Sequence, residues 1–338
     1  MLAPEFWITG GKPWPLLLAP MGWVYSTTGK IERLLTRPHR AVIPIICVGN
    51  LTAGGTGKTP IALSLARLLA ENGITPGFLT HGYGGTARGP LAIDPASHDA
   101  ALVGDEALLL ATTASTWVAK KRRAGILSMI DAGIECAILD DGHQDPSLVK
   151  DISLVVVDGE TGFGNERCIP AGPLRETVSA GIARADAIIV MGADRAEVRK
   201  LVTHIHPELP VLAAHLVPSA AAAGLKGRRV FAFAGIGQPE KFRATLLQIG
   251  ANIQEFQAFP DHYPYSDDDI TRLLVTAKAA DAMAVTTAKD RMRLSTKLRA
   301  EVTAIEVTAV FDDPAAIWTL MASALSPWAA PKGLDQGA

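Results

Sequence analysis

The chain has little of what marks several large classes of protein. Its three cysteines, Cys47, Cys136 and Cys168, are odd in number, far apart and form no CxxC pair. That argues against a disulfide framework and a zinc site, and fits a reducing cytoplasm. Neither sign of charge dominates: 32 Lys and Arg against 34 Asp and Glu leave a formal charge of -2. The basic stripe of a nucleic-acid binder is missing, so no nucleic-acid partner is expected. Long apolar runs are missing too. The uncharged stretch PWPLLLAPMGWVYSTTG, between Lys12 and Lys30, is broken by Pro13, Pro15, Pro20 and Gly22. It falls short of the roughly 20 apolar residues of a membrane-spanning helix. The opening MLAPEFWITGGKPWP has no positive segment followed by an apolar core, so no secretory leader is expected.

What the chain does have is apolar material throughout. Hydrophobic residues make up 48% of 338 residues, which exceeds the usual size of a single core and predicts two domains. Residues 1–40 carry Trp14, Trp23 and Tyr25 beside Lys30, Arg33, Arg37 and Arg40, the composition of a segment lying on a membrane surface. An N-terminal arm packed on the core is the alternative. From residue 41, short Val- and Ile-rich runs alternate with longer amphipathic stretches, which predicts an α/β fold with a mostly parallel sheet flanked by helices. Strands are expected at 41–48, 134–139, 152–157 and 186–191. A second alternating region has strands at 229–237, 282–287 and 303–308 and helices near 238–249 and 266–279, the latter opened by a Ser266/Asp269 capping box. The linker PSAAAAGLKGR (218–228) sets the division: 41–222 for a larger domain, 223–330 for a smaller α/β domain, then a loose tail.

The most informative segment follows the first strand. Gly49-Asn50-Leu51-Thr52-Ala53-Gly54-Gly55-Thr56-Gly57-Lys58-Thr59 ends in GGTGKT and runs into TPIALSLARLLAENG, a helix with Pro60 in its first turn and Gly73 at its end. Strand, glycine loop and helix form the context of a phosphate-binding P-loop, in which residues 52–59 would cradle phosphate oxygens. Lys58 would reach the β- and γ-phosphates, and Thr59 would ligate Mg²⁺. Thr52 stands where the strict pattern has glycine, but Gly54, Gly55 and Gly57 supply the freedom nearest the phosphates. Asp140 and Asp141 leave the C-terminal end of another apolar strand, where open α/β sheets bind ligands, and are candidate Mg²⁺ carboxylates. Such a loop alone also suits an NTPase switch.

These segments, taken in order, resemble one family, the tetraacyldisaccharide 4'-kinases of Gram-negative lipid A synthesis. The matching blocks are VGNLTAGGTGKTP (48–60), HGYGG (81–85), GDE (104–106), DDGHQD (140–145), DG…FGN…PAGPLRE (158–176), FPDHYPY (259–265) and TTAKDRMRL (286–294). The resemblance implies a P-loop NTPase-like fold in two α/β domains, the second closing over the nucleotide. It implies transfer of the γ-phosphate of ATP to the 4'-hydroxyl of a lipid A disaccharide 1-phosphate at the cytoplasmic face of the inner membrane. It implies a base pair of Asp105 and His262, charge stabilisation by Lys58 and Arg175, a nucleotide-side Arg122, and acceptor contacts at His81 and Gln144. Two positions depart from the family pattern, which often has Arg before GYGG and His after DDGxQ, whereas this chain has His81 and Asp145. A kinase for a soluble sugar is the remaining alternative.

Overall fold

The computed structural model describes residues 4–9, 11 and 13–328. Eight strands build the body of a large sheet: β1 (Ile45–Gly49), β2 (Pro76–Thr80), β3 (Leu91–Ala92), β4 (Thr116–Val118), β5 (Cys136–Asp140), β6 (Ile152–Asp158), β7 (Ala187–Met191) and β8 (Val211–Pro218). Strands β1, β2, β5, β6 and β7 are buried along their whole length, as a parallel sheet covered on both faces requires, which is why they read as continuous apolar runs. β1 lies between β5 and β6, pairing in parallel with both. The chain therefore builds the sheet outward on one side of β1 and then on the other, which makes the C-terminal end of β1 the switch point where such sheets bind ligands. The helix Lys58–Glu71 packs Ile61, Leu65 and Leu69, spaced by four, against Ile46, Val48, Ile138 and Leu154. Each such fully buried aliphatic side chain contributes about 2 kcal/mol.

A second, four-stranded parallel sheet consists of β9 (Arg229–Ala234), β10 (Asn252–Ala258), β11 (Met283–Thr287) and β12 (Thr303–Ile305), in the order β10-β9-β11-β12. Its helix Asp267–Ala279 carries the expected capping box, with Ser266 and Asp269 each accepting from the other's backbone N–H. The segment 218–228 is a 3-10 turn, Ala220–Leu225, rather than an open linker. Ala222 and Leu225 are buried in the core of the small sheet.

One part of the predicted division fails. The expected single strand 303–308 is two strands, and the second, β13 (Val307–Phe311), leaves the small sheet at Glu306 and pairs antiparallel with β8 as the edge of the large sheet. The helix Pro314–Leu325 follows it and buries Ile317, Met321 and Leu325 in the large core. The smaller unit is thus an insertion, roughly 219–306, and not the 223–330 read from sequence. The physical reason is the unpaired edge of β8, which an antiparallel strand covers. Residues 329–338, including the expected tail, lie outside the described residues.

Candidate active site

The glycine loop stands where β1 ends. Asn50 is fully buried and its side-chain amide donates to the carbonyls of Thr52 (2.7 Å) and Gly54 (3.4 Å), bracing the loop from inside. The GPLRE segment braces it from outside: Ala53 N–H donates to Pro173 O (2.8 Å) and Arg175 N–H to Leu51 O (2.7 Å). Gly57, just before the helix, has φ of +91°, and an added Cβ would lie 3.1 Å from the Met191 side chain. Backbone angle and neighbour both demand glycine there. Lys58 and Thr59 begin the helix, whose first N–H groups have no intrahelical partner and face anionic ligands well.

Two acids meet this loop at the end of β5. Asp140 is buried, its Oδ1 has no hydrogen-bond partner, and burial, with the Glu106 carboxylate next, pushes its carboxyl up to about 7. Burial also raises Asp141, but Lys58 and Arg175 outweigh it and hold that carboxyl below its ordinary range. One Arg175 nitrogen lies 2.8 Å from both Asp141 oxygens, and Lys58 Nζ 3.5 Å from Oδ1. The sequence-predicted Lys58, Asp140, Asp141 and Arg175 therefore come together around the loop. Among the described residues no group of three or more His, Cys, Asp or Glu could hold a metal. Mg²⁺ needs no such cage, since it keeps waters and substrate phosphates and uses one or two carboxylates. The unpartnered oxygen of Asp140, a hard donor next to the loop, fits that role, with the hydroxyl of Thr59 as companion.

The insertion supplies the opposite wall. Asp105 begins the short helix Asp105–Leu110, after Gly104, whose φ is +91° and whose added Cβ would meet Tyr83 O at 2.4 Å. Its Oδ2 lies 3.1 Å from His262 Nδ1 and 2.8 Å from Arg293 Nε. The angles leave Oδ2 without an aligned hydrogen bond, so Arg293 acts on it by charge and His262 stands beside it in close but unaligned contact. Burial raises the Asp105 carboxyl, yet His262, Lys289 and Arg293 together bring it down to about 2. His262 has φ of +56°, is anchored by its N–H to Gly235 O (3.0 Å), and stands edge-on to Tyr83 at 5.3 Å. Lys289 Nζ reaches both His262 Nε2 (3.2 Å) and Glu106 (2.9 Å).

Sequence reading missed four of these groups, Glu106, Lys289, Asp290 and Arg293. Asp290 accepts from Gly235 N–H and Tyr265 O–H, each at 2.9 Å, and pairs with Arg293 at 3.2 Å, so it fixes the loop that carries His262. A signal existed: Thr287 and Asp290 have helix-capping spacing, and Lys289 and Arg293 stand four apart on the turn that follows. A further tie joins the two units, where the buried Asp158 at the end of β6 holds Lys241 and accepts from Gln238 (3.3 Å).

Two residues expected at ligands are engaged by the protein itself. Arg122, expected on the nucleotide side, is buried, donating to Leu79 O (2.6 Å) and Asp140 O (3.3 Å), with Nε 3.5 Å from Asp145. Its two terminal nitrogens thus serve the ends of β2 and β5, and Nε pairs by charge with Asp145 beyond them. Gln144, expected at the acceptor, donates to Asn50 O (2.8 Å) and Glu176 (3.1 Å), under the loop. The two departures from the family pattern meet each other: His81 Nε2 is 3.6 Å from Asp145, and His81 remains 43% exposed.

The N-terminal helix Trp14–Leu35 packs on the body along one face, as the second expectation for the first forty residues has it, and leaves an apolar face exposed. Pro15, Gly22 and Ser26 are buried, and an added Cβ on Gly22 would strike Cys168 O at 2.8 Å, so one face packs on the body. Trp14, Leu16, Leu17, Met21, Trp23 and Val24 are all more than half exposed. Of the basic residues, Arg33 pairs with Glu176 (3.4 Å) and Arg40 with Asp151 (3.1 Å), so part of the basic patch serves the fold. No described helix is long and apolar enough to cross a membrane.

A glycine loop with its lysine, two acids at the next strand end and a carboxylate–imidazole pair facing them define a P-loop phosphotransferase. The family model for tetraacyldisaccharide-1-P 4'-kinase (LpxK) matches residues 14–326. Tetraacyldisaccharide 4'-kinase of Paramagnetospirillum magneticum is 49% identical over 320 residues, covering 95% of this chain and 98% of that protein. The Rhodospirillum rubrum enzyme is 48% identical over 323 residues, covering 95% and 97%. The "apo" form of LpxK from Aquifex aeolicus, in complex with ATP, superposes with a TM-score of 0.75 at 25% identity, over 92% of this chain and 99% of that one. The chain belongs to the tetraacyldisaccharide-1-P 4'-kinase family and is a kinase of lipid A synthesis.

Proposed function

We propose that this chain transfers the γ-phosphate of ATP to the 4'-hydroxyl of tetraacyldisaccharide 1-phosphate with Asp105 and His262 as the base pair. The observation that carries this reading is the 3.1 Å contact between a buried, ionised Asp105 and His262 across the two units, opposite the glycine loop. His262 takes the proton of the 4'-hydroxyl and Asp105 compensates the charge that the ring gains. The freed oxygen attacks the γ-phosphorus, and the bond to the β–γ bridging oxygen breaks, leaving ADP. Residues 52–59 bind the phosphates. Lys58 and Arg175 exchange Asp141 for the transferred group, stabilising its charge. Asp140, Asp141 and Thr59 would hold Mg²⁺, which would neutralise charge on the phosphates.

The acceptor is a lipid, and the exposed apolar face of Trp14–Leu35 fits a helix seated in the cytoplasmic surface of the inner membrane, with Trp14 and Trp23 at the headgroup level. His81, partly exposed beside Asp145, is the acceptor-side candidate, whereas Arg122 and Gln144 act by supporting the strand ends and the loop. The test is phosphate transfer from labelled ATP and Mg²⁺ to detergent-solubilised acceptor, comparing the unaltered chain with Asp105→Ala and His262→Ala. Phosphorylated lipid, falling roughly 10²-fold or more in both variants, is the expected result. ATP hydrolysis without acceptor and without lipid product would overturn it in favour of an NTPase switch.

A further inference from the structure

Lys289 occupies a place that the base pair alone leaves unexplained. His262 is contacted by Asp105 at Nδ1 (3.1 Å), by Lys289 at Nε2 (3.2 Å) and more distantly by Asp261 at Nε2 (3.9 Å), with the Tyr83 ring at its edge. Behind these stand Arg293, 2.8 Å from Asp105, and Glu106, 2.9 Å from Lys289. An ionised carboxylate only accepts hydrogen bonds and an ammonium only donates them. The ammonium at Nε2 therefore requires a lone pair there, and the one hydrogen of a neutral ring then sits on Nδ1, on the side of Asp105. An imidazolium would set an N–H of Nε2 against the N–H groups of Lys289. Burial works against charge on Lys289, but Glu106 and Asp105 more than compensate and raise its ammonium's range, so it stays a donor.

We propose that Lys289 is a positioning residue for the phosphoryl transfer: its ammonium holds His262 as the neutral Nδ1–H tautomer and guards the Nε2 lone pair until the acceptor hydroxyl replaces it. This rests on the reading of His262 as the base. When the hydroxyl arrives, Lys289 withdraws to Glu106, the hydroxyl proton passes to Nε2, and the new imidazolium lies between Asp105 and a nearby ammonium. Repulsion from that ammonium favours return of the proton to solvent after transfer. The arrangement depends on both units being in contact, because Glu106 belongs to the large unit and Lys289 and His262 to the insertion.

The experiment is ¹⁵N NMR of the full chain labelled at histidine, with His262→Ala identifying the signals of ring 262, alongside steady-state kinetics with ATP and solubilised acceptor. The unaltered chain at neutral pH should show a protonated Nδ1 and an unprotonated Nε2. Lys289→Met should lose that single tautomer and lower kcat about 10- to 100-fold, less than removal of the base, with acceptor KM nearly unchanged. Glu106→Gln, which breaks the ion pair but leaves the ammonium on Nε2, should keep the tautomer. An unchanged ring and kcat in Lys289→Met, or the same tautomer loss in Glu106→Gln, would overturn the assignment, the second by making Lys289 only a tie between units. Full activity of His262→Ala would instead remove the base reading itself.

Discussion

The two walls of the site are made of different materials. The wall at the end of β1 is largely backbone: glycines, loop amides and a helix start, with Asn50 and the 173–175 segment holding the shape. The wall from the insertion is made of charged side chains in contact, Lys289, Asp290, Arg293 and His262, reaching across to Asp105 and Glu106. A backbone cradle recognises phosphate through geometry that its own local sequence encodes. A charge network works only when two distant segments meet, so it can link proton transfer to the approach of the insertion.

Substitutions on the two walls should therefore fail differently. The largest separation is expected between Lys58→Met and His262→Ala. The first should weaken both nucleotide binding and turnover. The second should lower kcat by roughly 10²- to 10⁴-fold while ATP affinity, measured by calorimetry, changes little. Equal loss of ATP affinity in both would erase the contrast. A smaller effect is expected at the tie between the units: Asp158→Asn, which weakens the hold on Lys241, should raise KM for ATP several-fold and leave single-turnover chemistry at saturating ATP nearly intact.

Acid stability gives a third contrast. The folded-state carboxyl of Asp105 is depressed to about 2, so its contribution is present above its ordinary value near 3.8 and is lost as pH falls through about 2. That difference corresponds to about 2 kcal/mol. The stability gap between the unaltered chain and Asp105→Asn, followed by urea unfolding, should therefore narrow as the solution is acidified across that window. The smallest effect on stability is at Asp140, whose shift runs the other way: burial disfavours its charge. Asp140→Asn should raise Tm by a few degrees at neutral pH, on the order of 1 kcal/mol, while abolishing Mg²⁺-dependent transfer. A lower Tm would mean that the carboxylate is needed for the fold.

Much of the backbone wall was legible in sequence because its signals are local. The apolar runs before Asn50 and Asp140, the GGTGKT glycines, Pro60 and the Ser266/Asp269 box each act within a few residues, and the strands and caps lie close to where those signals put them. Arg122 and Gln144 are expected at ligands through the family resemblance, and motif position gives no sign of which way a side chain points. Burial of Arg122 under the strand ends and the Gln144 hydrogen bonds to Asn50 and Glu176 show their present partners. Lys289 and Arg293 sat unremarked in TTAKDRMRL because their partners lie more than 180 residues away in the chain.

By itself the sequence determined that this is an α/β chain with a phosphate loop at the end of its first long strand, because periodicity and glycine placement are fixed within each segment. Tertiary structure alone decided that the smaller unit is an insertion closed by β13, and that Lys289 and Arg293 join His262 against Asp105 and Glu106. Pairing of an exposed strand edge and attraction between partly buried charges are long-range terms, set by what folding brings into contact and not by the neighbours each residue has in the chain.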